Sequence, residues 1–470
     1  MELLFEREDE PIVIRRPCAL QFDSDPIHLA RASKQYIYDT AGNEYLDASN
    51  NTAHVGHCHP HVVSAGQSQM ARAACSQGYV CDVQKRYLKK LLETLPEKLS
   101  VCFLLNSGSE ANDLALRLAR RYTGGDDIVV FENTYHGNLS SLIEISPKLY
   151  RYEEPRNRES IHVIPLPDSC HIERENVPHE TDRLVQEARS LIQAQVKRGR
   201  SIAGFLSEII VVNAGVVVPP NGYYQGLYRA VREAGGLCIA DEVQTGLGRM
   251  GEHFWAFQQH GVLPDIITIG KQLGNGYPLA AVITTRDIAD SIGDFVSTYG
   301  GNPVACSMGL AVLEVIQNEQ MQSSCTMVGY ILKEGLVNLK ARYSCIGSIR
   351  GSGLCLGVEI VGYNSGNPDP FTTNEIKDRM KAEKILLISQ GPDHNVLVIT
   401  PPMCFTTENA RRFLRSFESV LAAIQSEGFS FKKVRTHYRN NVTTSPDSQY
   451  SSSSDDENPR KRFRALEDLD

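Results

Sequence analysis

Residues 265–285 read DIITIGKQLGNGYPLAAVITT. Ile266–Ile269 is a β-branched, apolar run of strand length, so it reads as a buried strand. Lys271 stands at its end, followed at once by Gly274, Asn275, Gly276 and Pro278. A second apolar run then spans Leu279–Ile283. A buried ammonium is costly. The lysine therefore either reaches solvent or does chemistry that needs a depressed pKa or a covalent partner.

Outward from this stretch, from about residue 98 to 305, similar short apolar runs recur. They include SVCFLL, DIVVFE, SIAGFLSEI and GLCIADE. Helical patterns such as ANDLALRLARRY and YYQGLYRAVREAGG lie between them. Alternation of this kind predicts an α/β fold with a mostly parallel sheet. Beyond it, GSIRGSGLCLGVEIV (347–361) reads as strands with glycine bends. TTENARRFLRSFESVLAAI (406–424) reads as a helix capped by Thr406. YIYDTAGNEYLDA (36–48) reads as a hairpin able to join that later α+β region.

The expected organisation is an N-terminal segment 1–60 joining a small domain, a large domain 61–305, a C-terminal small domain 306–430, and a tail 431–470. The tail is serine-rich and acidic and is expected to be disordered. Its PRKRFR run reads as a solvated charge run or a nuclear address.

The 470 residues are enough for a large core, and 41% hydrophobic with 22% charged residues is a globular composition. A net charge of −8 argues against nucleic acid as a partner. No apolar run is long enough for a membrane helix, so no membrane partner is expected. The 12 cysteines are scattered without a C-x-x-C, which suggests reduced thiols inside a cell. The acidic start MELLFEREDE lacks the features of a secretory signal or transit peptide. A cytoplasmic location is expected, with mitochondrial entry left open.

The constellation around Lys271 carries the chemistry. Asp241, in LCIADEVQTGLGR, also ends an apolar run. In a parallel sheet both side chains would stand at the carboxyl edge, where ligands bind. Alone, the two read equally well as a structural ion pair. Ser107, Gly108 and Ser109 lie between a strand and a helix, an arrangement that suits an anion, though such serines often only cap a helix. Tyr135 and His136 follow another strand, where an aromatic face can cover a flat ring or simply be half-buried. Together, a strand-end lysine, a strand-end acid, an anion loop and an aromatic lid fit pyridoxal 5'-phosphate. The cofactor would hold Lys271 as a Schiff base.

At these residues the sequence resembles the class-III aminotransferase family of fold-type I pyridoxal-phosphate enzymes. NSGSEAND, TYHGN, IADEVQTGLGR, IGKQLGNGYPLAAV, TYGGNPVAC and IRGSGL occur in the family's order. The resemblance covers residues 20 to 425 and implies the following roles. Lys271 carries the cofactor, Asp241 binds the pyridine nitrogen, and Gln244 approaches the phenolic oxygen. Gly108 and Ser109 bind the phosphate, and Tyr135, with His136 beside it, stacks on the ring. Thr298 reaches the phosphate of a neighbouring subunit, which implies a homodimer. Glu208 and His57 are substrate-side candidates, with Lys85 and Arg86 as further candidate cations.

Within the family, NNTAHVGHCHP, LPEKLSVC, LSSLIEISP and PPMCFT resemble the branch of phospho-lyases acting on O-phosphoethanolamine and 5-phosphohydroxy-L-lysine. The expected reaction is elimination of phosphate and ammonia from such an amine. The alternative is a transaminase, of the alanine–glyoxylate or omega-amino type, that uses a keto acid acceptor. Two stretches depart from the family's pattern. Val398 stands three residues before Pro401-Pro402, where many α-amino-acid aminotransferases of the family carry an arginine that holds a carboxylate and the phospho-lyases tend to have lysine. ACSQGYVCD (74–82) differs where the substrate mouth is shaped. The histidines of HVGHCHPH match no common zinc spacing, so no metal is expected.

Overall fold

The computed structural model describes residues 2–5, 12–15 and 21–427, apart from 23–24, 76–77, 153–154, 157, 172–174 and 364. The acidic tail and its basic run lie outside the described residues, as does most of the first twenty.

β1 (Glu2–Phe5) and β2 (Ile12–Arg15) form an antiparallel pair. β3 (Leu29–Ser33), β4 (Tyr36–Asp39) and β5 (Glu44–Asp47) follow as a meander. The hairpin expected at 36–48 is β4–β5, with Tyr36 opposite Leu46.

Seven strands build the large sheet: β6 (Val101–Leu105), β7 (Asp127–Phe131), β8 (Ile161–Ile164), β9 (Ile202–Glu208), β10 (Leu237–Asp241), β11 (Ile266–Ile269) and β12 (Ala280–Thr284). Their spatial order is β6-β12-β11-β10-β9-β7-β8. β8, β7, β9, β10 and β11 run parallel, and β12 pairs antiparallel with both β11 and β6.

The antiparallel strand follows from the segment read first. The chain reverses within Gly270–Leu279, so Ile269 ends opposite Ala281. That reversal requires Gly274: a Cβ there would lie 2.0 Å from the Tyr277 carbonyl oxygen. Asn275 holds φ at +49° and fastens the turn, accepting from the Val55 N–H at 2.9 Å and donating to the Gly56 carbonyl at 2.8 Å.

The helix Gly108–Thr123 lies across this sheet. Ser107 caps it, accepting from the Glu110 N–H, and Gly124 ends it in the left-handed region. Its Leu114, Ala115, Leu118 and Ala119 are buried with Val130, Leu206, Ile239 and Val282 in one core. Burial of a leucine or isoleucine side chain there contributes about 1.5–3 kcal/mol.

Downstream, β13 (Ile346–Ser352), β14 (Cys355–Ile360), β16 (Ile388–Gln390) and β17 (Val396–Ile399) make an antiparallel sheet in the order β13-β14-β17-β16. β15 (Ile385–Leu386) leaves that run and pairs in parallel with β5, joining chain segments from both ends. The last described helix, Thr407–Ser426, is capped as the sequence suggests. The Asn409 N–H donates to the Thr406 hydroxyl, and Phe413, Phe417, Val420 and Leu421 are buried.

Candidate active site

The carboxyl ends of three adjacent strands bring the chemistry together. Asp241 is the last residue of β10 and pairs in register with Glu208, the last of β9. Lys271 lies two residues beyond β11. The expectation that lysine and acid share one edge of a parallel sheet is met by strand register.

Asp241 is buried and its carboxylate is held on several sides. One oxygen accepts from Asn112 Nδ2 at 2.8 Å and faces His136 Nδ1 at 2.9 Å. The other accepts from the Val243 N–H at 3.1 Å. Asn112 is itself fixed, donating to the His136 carbonyl at 2.7 Å and accepting from the Thr268 hydroxyl at 2.6 Å. Both Asn112 and His136 thus hold Asp241 in place.

Lys271 keeps accessible surface at the sheet edge. Protein atoms nevertheless crowd its ammonium, and burial lowers its pKa. Glu208 and Asp241 oppose that shift, and Arg249 adds to it. Glu208 is buried, which raises its own pKa. Its carboxylate accepts from the N–H groups of Tyr135, Val212 and Asn213 and from Asn213 Nδ2, at 3.0–3.3 Å. Those contacts anchor the Tyr135 loop to the end of β9.

The candidate anion loop closes against this edge. A Cβ on Gly270 would lie 3.1 Å from the Gly108 nitrogen, and one on Gly108 would lie 2.9 Å from Val243. The two glycines let the helix N-terminus come up to the end of β11. The Ser109 hydroxyl accepts from the Asn138 N–H at 3.3 Å, tying this loop to the one carrying Tyr135 and His136. Gln244 accepts from Asn51 Nδ2 at 2.8 Å.

Two candidates stand apart. Thr298 is exposed in a groove lined also by Tyr79, Val80, Gln84 and Val296, and none of the other candidate residues lines it. His57 faces the Asp47 carboxylate at 2.7 Å. The neighbouring histidines have separate partners. His54 faces the Leu247 carbonyl, His59 faces Glu319 and His61 faces Glu314. Lys85 and Arg86 are exposed on the helix Asp82–Leu92.

The sequence reading did not single out Asn112, Arg249 or Lys148. Asn112 was detectable in principle, because it shares its helix face with Leu116 and Ala119, where an amide needs a partner. Arg249 is buried. It donates to the carbonyls of Leu354, Pro401 and Asn51 and faces His54 Nδ1. Only tertiary structure brings those acceptors together.

The sequence profile described as "Aminotransferase class-III" matches residues 20–421. The chain belongs to the class-III aminotransferase family. A Drosophila melanogaster relative named "Alanine--glyoxylate aminotransferase 2-like" is 42% identical, over 88% of this chain and 86% of its own. A Caenorhabditis elegans relative named "Ethanolamine-phosphate phospho-lyase homolog 1" is 38% identical, over 89% of this chain and 93% of its own. Among solved structures, a phospholyase from Arthrobacter in complex with phosphoethanolamine superposes with a TM-score of 0.84 at 35% identity. That match covers 86% of this chain and 97% of the other.

The fold is therefore fold-type I, and the cofactor of this class-III enzyme is pyridoxal phosphate. The residues present fit that group. Asp241 offers a fixed carboxylate, Lys271 an amine, and the Gly108 loop a helix N-terminus brought close by two glycines. Among the described residues, no helix is long and apolar enough to cross a membrane.

Proposed function

We propose that the chain is a phospho-lyase acting on a phosphorylated amine, O-phosphoethanolamine or 5-phosphohydroxy-L-lysine. Val398 agrees with this reading without deciding it, since the family's phospho-lyases tend to carry lysine there. The valine is buried in β17 and neutral, at the position where the family's carboxylate-holding arginine is common. An elimination consumes no keto acid and needs no such arginine. The observation that carries the reading is the likeness to the phosphoethanolamine-bound phospholyase, with the relative named as a phospho-lyase homolog beside it.

When bound, the cofactor supplies an electron sink next to the substrate's amine-bearing carbon. Asp241, fixed by Asn112 and His136, would hold the ring nitrogen. Gly108 and Ser109 would hold the cofactor's phosphate, with Tyr135 over the ring and Gln244 near its oxygen. Lys271 would carry the cofactor between turnovers. Once displaced by substrate, its amine would take the proton from the carbon next to nitrogen, a role favoured by its lowered pKa. The substrate phosphate then leaves from the adjacent carbon. With phosphoethanolamine and one water, the products are acetaldehyde, ammonia and phosphate.

The active form in this proposal is a symmetric homodimer. Tyr79, Val80, Val296 and Tyr299 are 71–81% exposed around Thr298, an apolar patch suited to a second copy. Thr298 would complete the partner's phosphate site.

The alternative is a transaminase, favoured by the 42% identity to the relative named as an alanine–glyoxylate aminotransferase. The two are separated by offering each phosphorylated amine with and without a keto acid. Equal release of phosphate and ammonia without a keto acid supports the lyase. No release, together with pyruvate- or glyoxylate-dependent consumption of an amine donor, makes it a transaminase.

A further inference from the structure

The lyase reading needs a cation for the substrate's phosphate, and neither exposed Lys85 nor exposed Arg86 is fixed by the fold. A different lysine is fixed. Lys148 sits in the turn Pro147–Leu149, which follows the Tyr135–His136 loop and the short helix Ser140–Ile143. Its backbone N–H donates to the Thr134 carbonyl at 3.1 Å, and the neighbouring Ser146 hydroxyl accepts from the His136 N–H at 3.0 Å.

The ammonium of Lys148 donates to Asn213 Oδ1 at 2.9 Å and to Gln390 Oε1 at 2.5 Å. The Asn213 amide also donates to Glu208, whose carboxylate holds the Tyr135 N–H. Lys148 is thus two hydrogen bonds from the strand end beside Asp241.

Two features distinguish this ammonium from a surface lysine. It is held by two neutral amide oxygens, and among the described residues no carboxylate pairs with it. An ammonium has three donors, so one remains for an incoming oxygen. Positive charge also gathers around it. Arg151 reaches the Pro392 carbonyl in the facing 391–395 loop. Burial lowers the Lys148 pKa to about 8. Glu208 opposes that shift, while Arg151 and Lys271 add to it. A dianion would offset this repulsion.

We propose that Lys148, assisted by Arg151, is the cation that holds the phosphate of the substrate. This rests on the phospho-lyase reading and names its specificity-determining residue. The cluster is built from the Tyr135 side of the large sheet and from the β16–β17 connection. The same hairpin carries Val398 in place of a family arginine. In this proposal the anion site lies on the loop facing β17, where Val398 offers no charge, and its ligand is a phosphate.

The test uses cofactor-loaded wild type with Lys148→Met, Lys148→Gln and Arg151→Ala. Kinetics of phosphate release from O-phosphoethanolamine give kcat and KM, and inorganic phosphate serves as a competitive probe. Circular dichroism and borohydride-trapped cofactor verify folding and loading. Both Lys148 variants should raise KM and weaken inhibition by inorganic phosphate about 10- to 100-fold, as expected for one charge-assisted hydrogen bond. Their kcat should stay within about threefold, because Lys148 binds rather than transfers protons. Arg151→Ala should show a smaller change in the same direction. A folded, loaded Lys148→Gln enzyme with unchanged KM and unchanged phosphate inhibition overturns the proposal and leaves the lyase reading intact. If wild type releases no phosphate from either amine, the lyase reading fails instead. Calorimetric titration with inorganic phosphate then decides. Binding lost in Lys148→Gln keeps the anion site, and equal or absent binding in both proteins removes it.

Discussion

Among the described residues no carboxylate pairs with buried Arg249 or with half-buried Lys148, and the two cations are built for different ends. The Arg249 guanidinium has backbone carbonyls from three separate segments, with His54 closing its remaining side. It has little capacity left for a ligand. Lys148 is held by two side-chain amides and keeps a donor and a net charge. The same contrast separates the cofactor floor from the substrate wall. On the floor, Asn112 bridges Asp241 and Thr268, and His136 Nδ1 faces the same Asp241 oxygen, so each contact positions the carboxylate. On the proposed wall, Val398 is neutral and Lys148 keeps a donor. A satisfied network fixes geometry, whereas spare capacity is where a ligand can be chosen.

The floor should break most completely. Lys271→Ala removes both the covalent anchor and the proposed base, so turnover should fall about 10⁴-fold or more. Phosphate release and the visible absorbance of bound cofactor are the measurements. An active, borohydride-insensitive variant would remove Lys271 from its role.

Asn112→Ala should come next. It leaves the Asp241 carboxylate and the Thr268 hydroxyl each short of a partner, at about 1–3 kcal/mol of stability for each buried group. Turnover should drop about 10²-fold, comparable to removing one fixed donor from an active site. Thermal unfolding and kcat check the two parts separately. A variant that loses stability but keeps kcat would mean that His136 alone orients Asp241.

His54 sharpens the comparison through pH. Burial, with Arg249 adding, pushes its pKa down to about 3, from an ordinary value of 6.5. Folded His54 therefore stays neutral while unfolded His54 binds a proton below pH 6.5. The unfolded state binds more protons in this window, so stability should fall progressively from pH 6.5 toward 3. His54→Gln should be less stable at pH 7 and should lack this part of the acid slope. Chemical denaturation across that range is the check, and parallel slopes would show that burial does not hold His54 neutral.

The smallest effect is expected at the proposed interface. Thr298→Ala should weaken cofactor retention only a few-fold, as for loss of one hydrogen bond of about 1 kcal/mol. Folding of the exposed segment should be unaffected. Sedimentation of wild type at assay concentration tests the dimer directly, and a fully active monomer would exclude the shared site.

Much of the floor was legible in the sequence because it is local. A β-branched run ending in Lys271, a second ending in Asp241, and a strand–glycine–helix junction at Gly108 each follow from a few consecutive residues. Strand alternation then implied that their ends share one edge. The Thr406 cap and the 36–48 hairpin were legible for the same reason, since their decisive contacts lie within a few positions. The antiparallel setting of β12 was half-visible. Gly274 and Gly276 announced a tight turn, while the pairing of β12 with β6 on its far side depends on Leu105 meeting Ala280 across 175 positions.

What only tertiary structure decided is held by contacts between distant segments whose types carry no local signal. The sequence offered Glu208 and His57 as substrate-side candidates; only the fold shows that the Glu208 carboxylate gathers the Tyr135 and Asn213 backbones and that Asp47 stands beside His57. Lys148 looked like any lysine in a loop, because its meaning lies in Asn213 and Gln390, 65 and 242 positions away. Sequence determined which residues could do the cofactor chemistry, since strand ends and glycine turns are short-range. The fold determined which charges remain unpaired, since pairing depends on every neighbour that packing brings near.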